Sequence, residues 1–236
     1  MAKYPITNRN EAKRLRDRAA YDVEAVHAML DSALICHIAY VVDGQPYCTP
    51  TTCWRRGNEV IWHGSAASRM LVEQTKHIDV CLTVSYVDSI VLTRSAFGHA
   101  VNYRSAMLFG RASLIEEPAE KLLEVKQIID HFLPGRSDRV VPPTPLEIRQ
   151  VSILKMPIDQ AVLKVRNHPA AYETSQHRNH PVWAGEIPIE VRIGDAVRCT
   201  ELDPKIPKDP DVELYQSGAR LDATLLKIRR GMRKGP

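Results

Sequence analysis

Residues 62–70 combine side chains that could bind a phosphate group. Their order predicts a strand that turns into a helix, and a helix N-terminus leaves backbone N–H groups free to face an anion. The hydroxyls of Ser65 and Ser68 add donors, and the guanidinium of Arg69 is a planar fork that suits phosphate oxygens. Gly64 allows close approach of a ligand. The simpler interpretation is a serine-capped helix with a surface arginine.

A second polar run stands at the start of an apolar strand. Asn102, Tyr103, Arg104 and Ser105 place an amide, a phenol, a guanidinium and a hydroxyl in a row. Polar groups at such a position indicate contact with a ligand or with another subunit. The alternative for Arg104 is an ion pair with a carboxylate of the same chain.

The third run is Thr49, Pro50 and Thr51, which is polar for the middle of a barrel strand. Pro50 has no N–H to donate to a ladder, so it belongs at an edge, a bulge or a split in a sheet. Such an edge could hydrogen-bond the polar edge of a flavin ring, although an ordinary threonine-rich edge strand would look the same. Taken together, the three runs indicate a site for flavin mononucleotide (FMN).

Other kinds of site lack support in the sequence. No G-x-G-x-x-G follows the first predicted strand, and no P-loop, H-E-x-x-H, C-x-x-C or G-x-S-x-G pattern occurs. We therefore predict no metal site and assign no catalytic residue. If the chain is an enzyme, a cofactor supplies the chemistry.

The elements that must position these runs are mostly strands. Short turns separate strands in a meander with few helices, which favours a mainly β fold with flanking helices, closed or split as a barrel. Strands are expected over residues 34–42, 47–55, 59–63, 80–87, 90–93, 103–115, 151–156, 161–165, 187–193 and 196–199. Helices are expected over residues 23–32, 66–76, 119–133 and 221–228.

Charge and composition divide the chain into three parts. Residues 1–20 form a charged N-terminal arm, residues 21–200 the barrel domain, and residues 201–236 a basic C-terminal tail. The net charge of +4 comes largely from the two ends, which we interpret as solvated or loosely docked. Binding of nucleic acid by these ends is an alternative. We find no membrane span or signal peptide, and the five cysteines without C-x-x-C spacing suggest a reduced, cytoplasmic protein.

The combined motifs resemble the flavin-nucleotide-binding branch of the pyridoxamine 5'-phosphate oxidase-like superfamily over about residues 17–195. The motifs that carry the resemblance are Leu34-Ile35-Cys36-His37, Gly44-Gln45-Pro46, Trp62-His63-Gly64-Ser65, Ser68-Arg69, Asn102-Tyr103-Arg104-Ser105, Phe109-Gly110-Arg111-Ala112 and Pro181-Val182-Trp183-Ala184-Gly185. The resemblance implies an FMN-binding split β-barrel, a homodimer with FMN at the subunit interface.

The resemblance also implies roles for the three runs. Thr49, Pro50 and Thr51 would meet the flavin ring or the ribityl chain. The residues that would hold the ribityl end and the phosphate are His63, Gly64, Ser65, Ser68 and Arg69. The residues that would complete the site, in part from the other subunit, are Asn102, Tyr103, Arg104 and Ser105. Trp183 would close over the pocket.

Two departures argue against pyridoxal phosphate synthesis. Met70 follows Arg69 where the pyridoxamine phosphate oxidases carry a lysine, and their C-terminal arginine–histidine motif has no counterpart here. Gly98, Ala100 and Ala106 replace bulkier or more polar residues, which would widen the substrate side.

Two functions of different classes follow from the resemblance. The first is an FMN-dependent oxidoreductase that transfers electrons or a hydride between a small-molecule donor and a small acceptor. The alternative is a non-enzymatic protein that binds flavin or haem. The candidate haem ligands are His63, His99, His168, His177 and His180.

Overall fold

Ten antiparallel strands form one sheet, and helices flank it. The computed structural model describes residues 2–170 and 178–232. The strands are β1 Ala19–Ala20, β2 Ile35–Val42, β3 Gln45–Arg56, β4 Glu59–Ser65, β5 Asp79–Leu92, β6 Ala100–Arg111, β7 Ser113–Leu114, β8 Val151–Pro157, β9 Gln160–Arg166 and β10 Gly185–Pro188. The helices are α1 Val23–Asp31, α2 Arg69–Gln74, α3 Pro118–Phe132, α4 Pro145–Gln150 and α5 Leu221–Met232, with 3-10 helices at Arg16–Arg18 and Pro210–Leu214.

The sheet curls because β3 changes partner along its length. Residues 45–52 of β3 pair with β2, and residues 53–56 pair with β4. The strand order is β1-β9-β6-β5-β2-β3-β4-β8-β7, with β10 on β5. The chain runs from β6 through Ala112 into β7, so it links the middle of the sheet to its far end, and no ladder of the described residues closes the sheet. The predicted fold, mainly β with flanking helices and a split barrel, is confirmed.

Alternation along the strands sends one face of the sheet into the core. In β2, Cys36, Ile38 and Tyr40 are buried between more exposed neighbours. Trp62 of β4 lies opposite Leu154 of β8, and both are fully buried. The barrel interior is therefore a packed apolar core, and a ligand site must lie at an edge or on an outer face.

Helix α2 is shorter than predicted. A helix was expected over residues 66–76 with Ser65 as its cap, but it runs from Arg69 to Gln74 with Ser68 at the N-cap position. The backbone N–H of Ser68 donates to the carbonyl of Ser65 at 2.8 Å. This bond closes a turn before the helix, so Ser65 belongs to the end of β4.

Strand β5 passes straight through the hairpin predicted at Asp88 and Ser89. The prediction was wrong because both side chains have partners on the neighbouring strand. Arg104 binds the Asp88 carboxylate, and Asn102 donates to the Ser89 hydroxyl at 2.9 Å. The strand absorbs these residues as a bulge between Val87 and Ser89 instead of turning.

The strand predicted over residues 196–199 does not form. The backbone before it pairs elsewhere, since the N–H of Ile193 donates to the carbonyl of Ala219 at 3.0 Å. The N–H of Leu221 likewise donates to the carbonyl of Val191 at 3.0 Å. In place of the strands predicted over residues 187–193 and 196–199, only β10 forms, and it pairs with β5.

Residues 2–20 of the N-terminal segment are packed against the barrel where we expected a solvated or loosely docked arm. Tyr4 is only 5% exposed, and its hydroxyl donates to the Asn58 side chain at 2.6 Å. The amide of the buried Asn10 donates to the carbonyl of Ala161 at 3.0 Å. These few anchors hold the segment while Lys13, Arg14 and Arg16 remain exposed.

The described C-terminal part, residues 201–232, is also more than a solvated tail. Leu225, Ile228 and Arg229 of α5 are buried. The Arg229 guanidinium donates to the backbone carbonyl of Asp31 and so ties α5 to the end of α1. In the part of the chain that the structure describes, no helix is long and apolar enough to cross a membrane.

Candidate functional site

The turn from β4 into α2 presents an arginine that is free of carboxylates. Arg69 is exposed and, among the described residues, makes no ion pair. Its guanidinium donates to the Tyr47 hydroxyl at 2.5 Å and lies 4.7 Å from the centroid of that ring. Ser65 is exposed nearby at the end of β4, and the N-cap Ser68 makes no side-chain capping bond. These groups are available to an anion.

His63 lies near the end of β4, two residues before Ser65. One of its ring nitrogens has no hydrogen-bond partner among the described residues. Its Nδ1 is buried and has no hydrogen-bond partner among residues 2–170 and 178–232. The ring lies 5.9 Å from that of Trp54, and Thr51 donates to the His63 carbonyl at 3.2 Å. Burial lowers the pKa of His63. Burial therefore favours the neutral imidazole, and the buried Nδ1 is a polar atom still in need of a partner.

Gly64 separates this histidine from the serine turn. A Cβ placed there would lie 3.5 Å from the Leu71 side chain, which is an ordinary contact. The packing of the protein itself does not require a glycine at this position. A side chain at Gly64 would lie against Leu71, and close approach of a ligand at this glycine stays a prediction.

The strand edge beside this turn is open, as predicted from Pro50. Thr49, Pro50 and Thr51 pair with β2 on one side, while pairing with β4 starts only at Cys53. Within the described residues the other side of this stretch has no ladder partner. Pro50 lies opposite His37 and faces away from the two threonines, because side chains alternate along a strand. The split in the sheet therefore places open backbone groups next to His63.

Asn102 is buried at the far side of the sheet and is fully engaged. Its amide nitrogen donates to the hydroxyl of Ser89 at 2.9 Å, to a carboxylate oxygen of Glu186 at 3.0 Å and to the carbonyl of His168 at 3.1 Å. Its oxygen accepts from the His168 backbone N–H at 3.1 Å and from Arg166. In this structure Asn102 ties three segments together.

Arg104 makes the carboxylate pairing that the sequence left open. Its Nη2 lies 2.7 Å from Asp88 and 3.0 Å from Asp222, and its guanidinium carbon lies 5.0 Å from the ring centroid of Tyr86. The hydrogen bonds to Asp88 raise the pKa of Arg104 despite partial burial. The residue thereby clamps the start of α5 onto β5 and β6.

The two predicted halves of the site lie apart within one chain. β6 is separated from β3 by β5 and β2, a lateral distance of roughly 14 Å. Tyr103 and Ser105 also face the opposite side of β6 from Asn102 and Arg104, because alternate residues point to opposite faces. The structure brings together the residues of β3, β4 and α2 but not those of β6. That the β6 residues complete a site from a second subunit stays a prediction.

The sequence analysis did not identify Tyr47, whose hydroxyl accepts a hydrogen bond from Arg69. An aromatic residue two positions before the threonine run was the available signal. It also missed Glu186 and Asp222, which bind Asn102 and Arg104. Neither has a local signal, because each lies more than eighty residues from its partner.

The outer face of β10, β5 and β6 carries a row of exposed apolar side chains that the sequence analysis did not identify. Ile187, Ile90 and Val101 lie directly opposite one another across the three strands. They are 44%, 39% and 42% exposed. Val87, 51% exposed, continues the row beside Tyr103. This face has the composition of a contact surface.

The remaining candidates are scattered. Trp183 is 63% exposed and its ring lies over Gly185, where a Cβ would come within 2.6 Å of it. His99 contacts the Ser95 carbonyl at 3.0 Å. His177 lies outside the described residues. Among residues 2–170 and 178–232, no group of three or more His, Cys, Asp or Glu side chains is arranged to hold a metal ion.

Comparison with known proteins assigns the family. The family model described as pyridoxamine 5'-phosphate oxidase matches residues 22–165. The chain belongs to this family. The match runs from α1 into β9 and includes the predicted site residues of β3, β4 and the start of α2, namely residues 49–51, 63–65, 68 and 69. No curated protein sequence matches the chain.

Two solved structures extend this family relationship over most of the chain. The flavocytochrome Anf3 from Azotobacter vinelandii is 35% identical, with a TM-score of 0.83 covering 90% of this chain and 98% of that one. The FAD and heme binding protein from Mycobacterium smegmatis is 26% identical, with a TM-score of 0.80 covering 86% of this chain and 98% of that one. The similarity therefore includes the C-terminal part that follows the family match.

Proposed function

We propose that this member of the pyridoxamine 5'-phosphate oxidase family binds a flavin nucleotide at the split between β3 and β4. The observation that carries the proposal is the coincidence of three unsatisfied features in one place. Within residues 2–170 and 178–232, these are the guanidinium of Arg69 without a carboxylate, the unpaired Nδ1 of His63 and the open edge at residues 49–51. A phosphate, a polyol and a polar ring edge would satisfy them. The resemblance to a flavocytochrome supports the same conclusion.

Each residue has a distinct part in this proposal. Arg69, Ser65 and Ser68 hold the phosphate, and the Tyr47 hydroxyl keeps the guanidinium in place. The neutral His63 donates or accepts at Nδ1 without adding charge. The edge of β3 excludes water from one side of the ring and presents backbone hydrogen-bonding groups to it.

When bound, the flavin would supply hydride and single-electron transfer, and the protein would orient it and tune its electronics. We propose an oxidoreductase that acts between a small donor and a small acceptor, with FMN as the nucleotide. FAD, which the mycobacterial relative is named for, is the alternative form. We do not expect pyridoxal phosphate synthesis, because Met70 stands where those oxidases carry a lysine.

The flavin proposal is tested on the purified full-length chain. We expect a yellow protein that releases one flavin per chain on denaturation, and mass spectrometry of the released molecule distinguishes FMN from FAD. Arg69→Gln should weaken flavin binding by about tenfold to a hundredfold, since charge-assisted hydrogen bonds are lost. Arg111→Gln, at an exposed ion pair with Asp79, is the matched control and should bind normally. A flavin-free chain that takes up neither nucleotide would contradict the proposal.

Haem binding is a second candidate, because both structural relatives are named for haem or cytochrome. His63 is the best-suited ligand among the described histidines, since burial favours its neutral imidazole and its buried Nδ1 has no hydrogen-bond partner in that part of the chain. Titration with haemin should then give a sharp Soret band at one haem per chain. His63→Ala should abolish that band, whereas His77→Ala, on a separate turn, should leave it unchanged.

We also propose that two copies associate through the exposed row of Ile187, Ile90 and Val101. Burying a continuous apolar row removes it from water, and such rows are rare on the surfaces of monomers. Association through this face would place Tyr103 and Ser105, which share it, against the partner.

We propose a cytoplasmic location on the strength of five free cysteines, and we expect no specific binding of nucleic acid.

A further inference from the structure

A groove of about 670 Å³ lies between α5 and the 3-10 helix Pro210–Leu214. This volume is within the range of small-molecule pockets in proteins. The groove shares no residue with the flavin site proposed at β3, β4 and α2. It therefore needs an explanation of its own.

The walls of the groove are mainly apolar. One face of α5 supplies the floor, since residues 220, 223, 224, 227, 228 and 231 follow helical spacing. The apolar side chains in the walls are Pro134, Leu214, Ala219, Ala223, Ile228 and Met232. Leu214 and Met232 remain 44% and 39% exposed. The groove thus presents apolar surface to water along its length.

The centre of the floor is empty. A Cβ placed on Gly231 would meet no atom within 4 Å. A larger side chain at this position would enter the groove without striking the protein. The same position lets an experiment fill the groove while the fold is kept.

Positive charge lines the rim. Lys227 is exposed and, in the part of the chain that the structure describes, makes no ion pair. Arg220, seven residues earlier in the lining, is already paired with Asp222 at 2.9 Å and Glu190 at 3.5 Å. Glu213 is the acidic residue of the lining, and Lys208 neutralises it at 2.5 Å. The rim therefore favours an anion.

We propose that this groove binds a free fatty acid, with its alkyl chain along the apolar wall and its carboxylate at Lys227. An elongated apolar channel with cationic groups at the rim complements a single-chain amphiphile of negative charge. A neutral ligand would leave the Lys227 charge unused, and a cationic amphiphile would be repelled. The proposal goes beyond flavin binding and does not depend on it.

The test uses the delipidated full-length chain and dodecanoate as the probe, in isothermal titration calorimetry below the micelle concentration. We expect one dodecanoate per chain, and up to about fourfold tighter binding for each added methylene. Dodecyltrimethylammonium, which has the same chain with a positive head group, should not bind at this site. Equal binding of both amphiphiles would overturn the charge assignment and with it the proposal.

Three variants locate the site. Gly231→Leu should abolish dodecanoate binding while the helix is kept or strengthened, because leucine forms helices better than glycine. Lys227→Gln should weaken dodecanoate binding by about tenfold and leave dodecanol binding unchanged. Arg230→Gln removes the same charge from the same helix outside the groove lining and should have no effect.

Other occupants are distinguished by the same proteins. Full dodecanoate affinity in Gly231→Leu would place binding elsewhere and overturn the proposal. Sedimentation velocity measures whether a second copy fills the groove. If Gly231→Leu dissociates an oligomer of the delipidated chain, the groove is a subunit contact and the fatty acid assignment fails.

Discussion

Buried charge is concentrated where α1, β3 and α5 meet. Asp31 and Arg55 form an ion pair at 3.0 Å, with each side chain 4% exposed. Arg229 of α5 approaches the same place and donates to the backbone carbonyls of Asp31 and Ala33. Because charges out of water are costly unless paired, each member of this group depends on the others.

Removing one partner should therefore be severe. We predict that Asp31→Ala lowers the free energy of unfolding by about 3–5 kcal/mol, since Arg55 is left buried and unpaired. Asp79→Ala, at a pair whose side chains are 73% and 49% exposed, should cost less than about 1 kcal/mol. Urea denaturation of both variants measures the difference. Similar losses in the two variants would contradict the assignment.

His131 gives the protein a pH dependence whose sign follows from its surroundings. Burial, reinforced by the charge of Arg229, lowers the pKa of His131 from 6.5 to about 3. Between pH 6.5 and pH 3, His131 therefore binds a proton in the unfolded chain but not in the folded chain. The stability that this difference contributes is present above pH 6.5 and is lost as the pH falls toward 3.

We predict that this histidine alone destabilises the fold by about 2 kcal/mol between pH 7.5 and pH 5, at roughly 1.4 kcal/mol for each unit below 6.5. His131→Gln should remove this contribution, so its unfolding free energy should fall less over the same interval. Urea denaturation at the two pH values makes the comparison. Identical pH dependence in both proteins would show that His131 is not responsible.

At the scale of elements, the periodic segments formed as predicted, whereas the turn predicted at Asp88 and Ser89 did not. The apolar periods of α1, β2 and α3 were predicted within a few residues of the observed bounds. The Asp88–Ser89 pair resembles a turn locally but is bound to Arg104 and Asn102 on β6, which kept β5 extended. The preference of Asp and Ser for turns is local, and here hydrogen bonds to side chains on the neighbouring strand outweigh it.

The crossing of β6 and β8 depends on a missing side chain. A Cβ on Gly110 would lie 2.7 Å from the Met156 Cγ and 2.8 Å from the Pro157 carbonyl oxygen. We predict that Gly110→Ala destabilises the protein by about 1–3 kcal/mol through overpacking. Gly194→Ala, where a Cβ meets nothing within 4 Å, is the control and should be neutral. Thermal denaturation of the two variants tests this, and a neutral Gly110→Ala would refute the close approach.

At the scale of the whole molecule, one outer face of the curled sheet is bare, in that no helix or terminal segment among the described residues covers it. Helices and terminal segments cover other parts of the sheet, while Ile90 and its neighbours Ile187 and Val101 remain exposed. The predicted site is divided in the same way, with one half at the β3–β4 split and the other on β6. A second copy on the bare face is the arrangement that would use both halves.

We predict that Ile90→Lys converts a dimer into a monomer, because a charge then stands at the centre of the apolar row. Val141→Lys, at a residue 90% exposed outside the sheet, should leave the dimer intact. Sedimentation velocity gives the oligomeric state, and flavin content per chain shows whether the partner completes the site. A wild-type monomer, or a dimeric Ile90→Lys, would exclude this face.

By itself, the sequence determined the strand-rich fold and the open edge at Pro50, and it predicted an anion site at the turn of Arg69. These follow from periodicity, from the absent N–H of proline and from side-chain chemistry, all of which are local. Only the tertiary structure decided that Asn102 and Arg104 are engaged by Glu186 and Asp222. Those contacts join residues more than eighty positions apart, and the pairing of β10 with β5 and the packing of α5 bring them together.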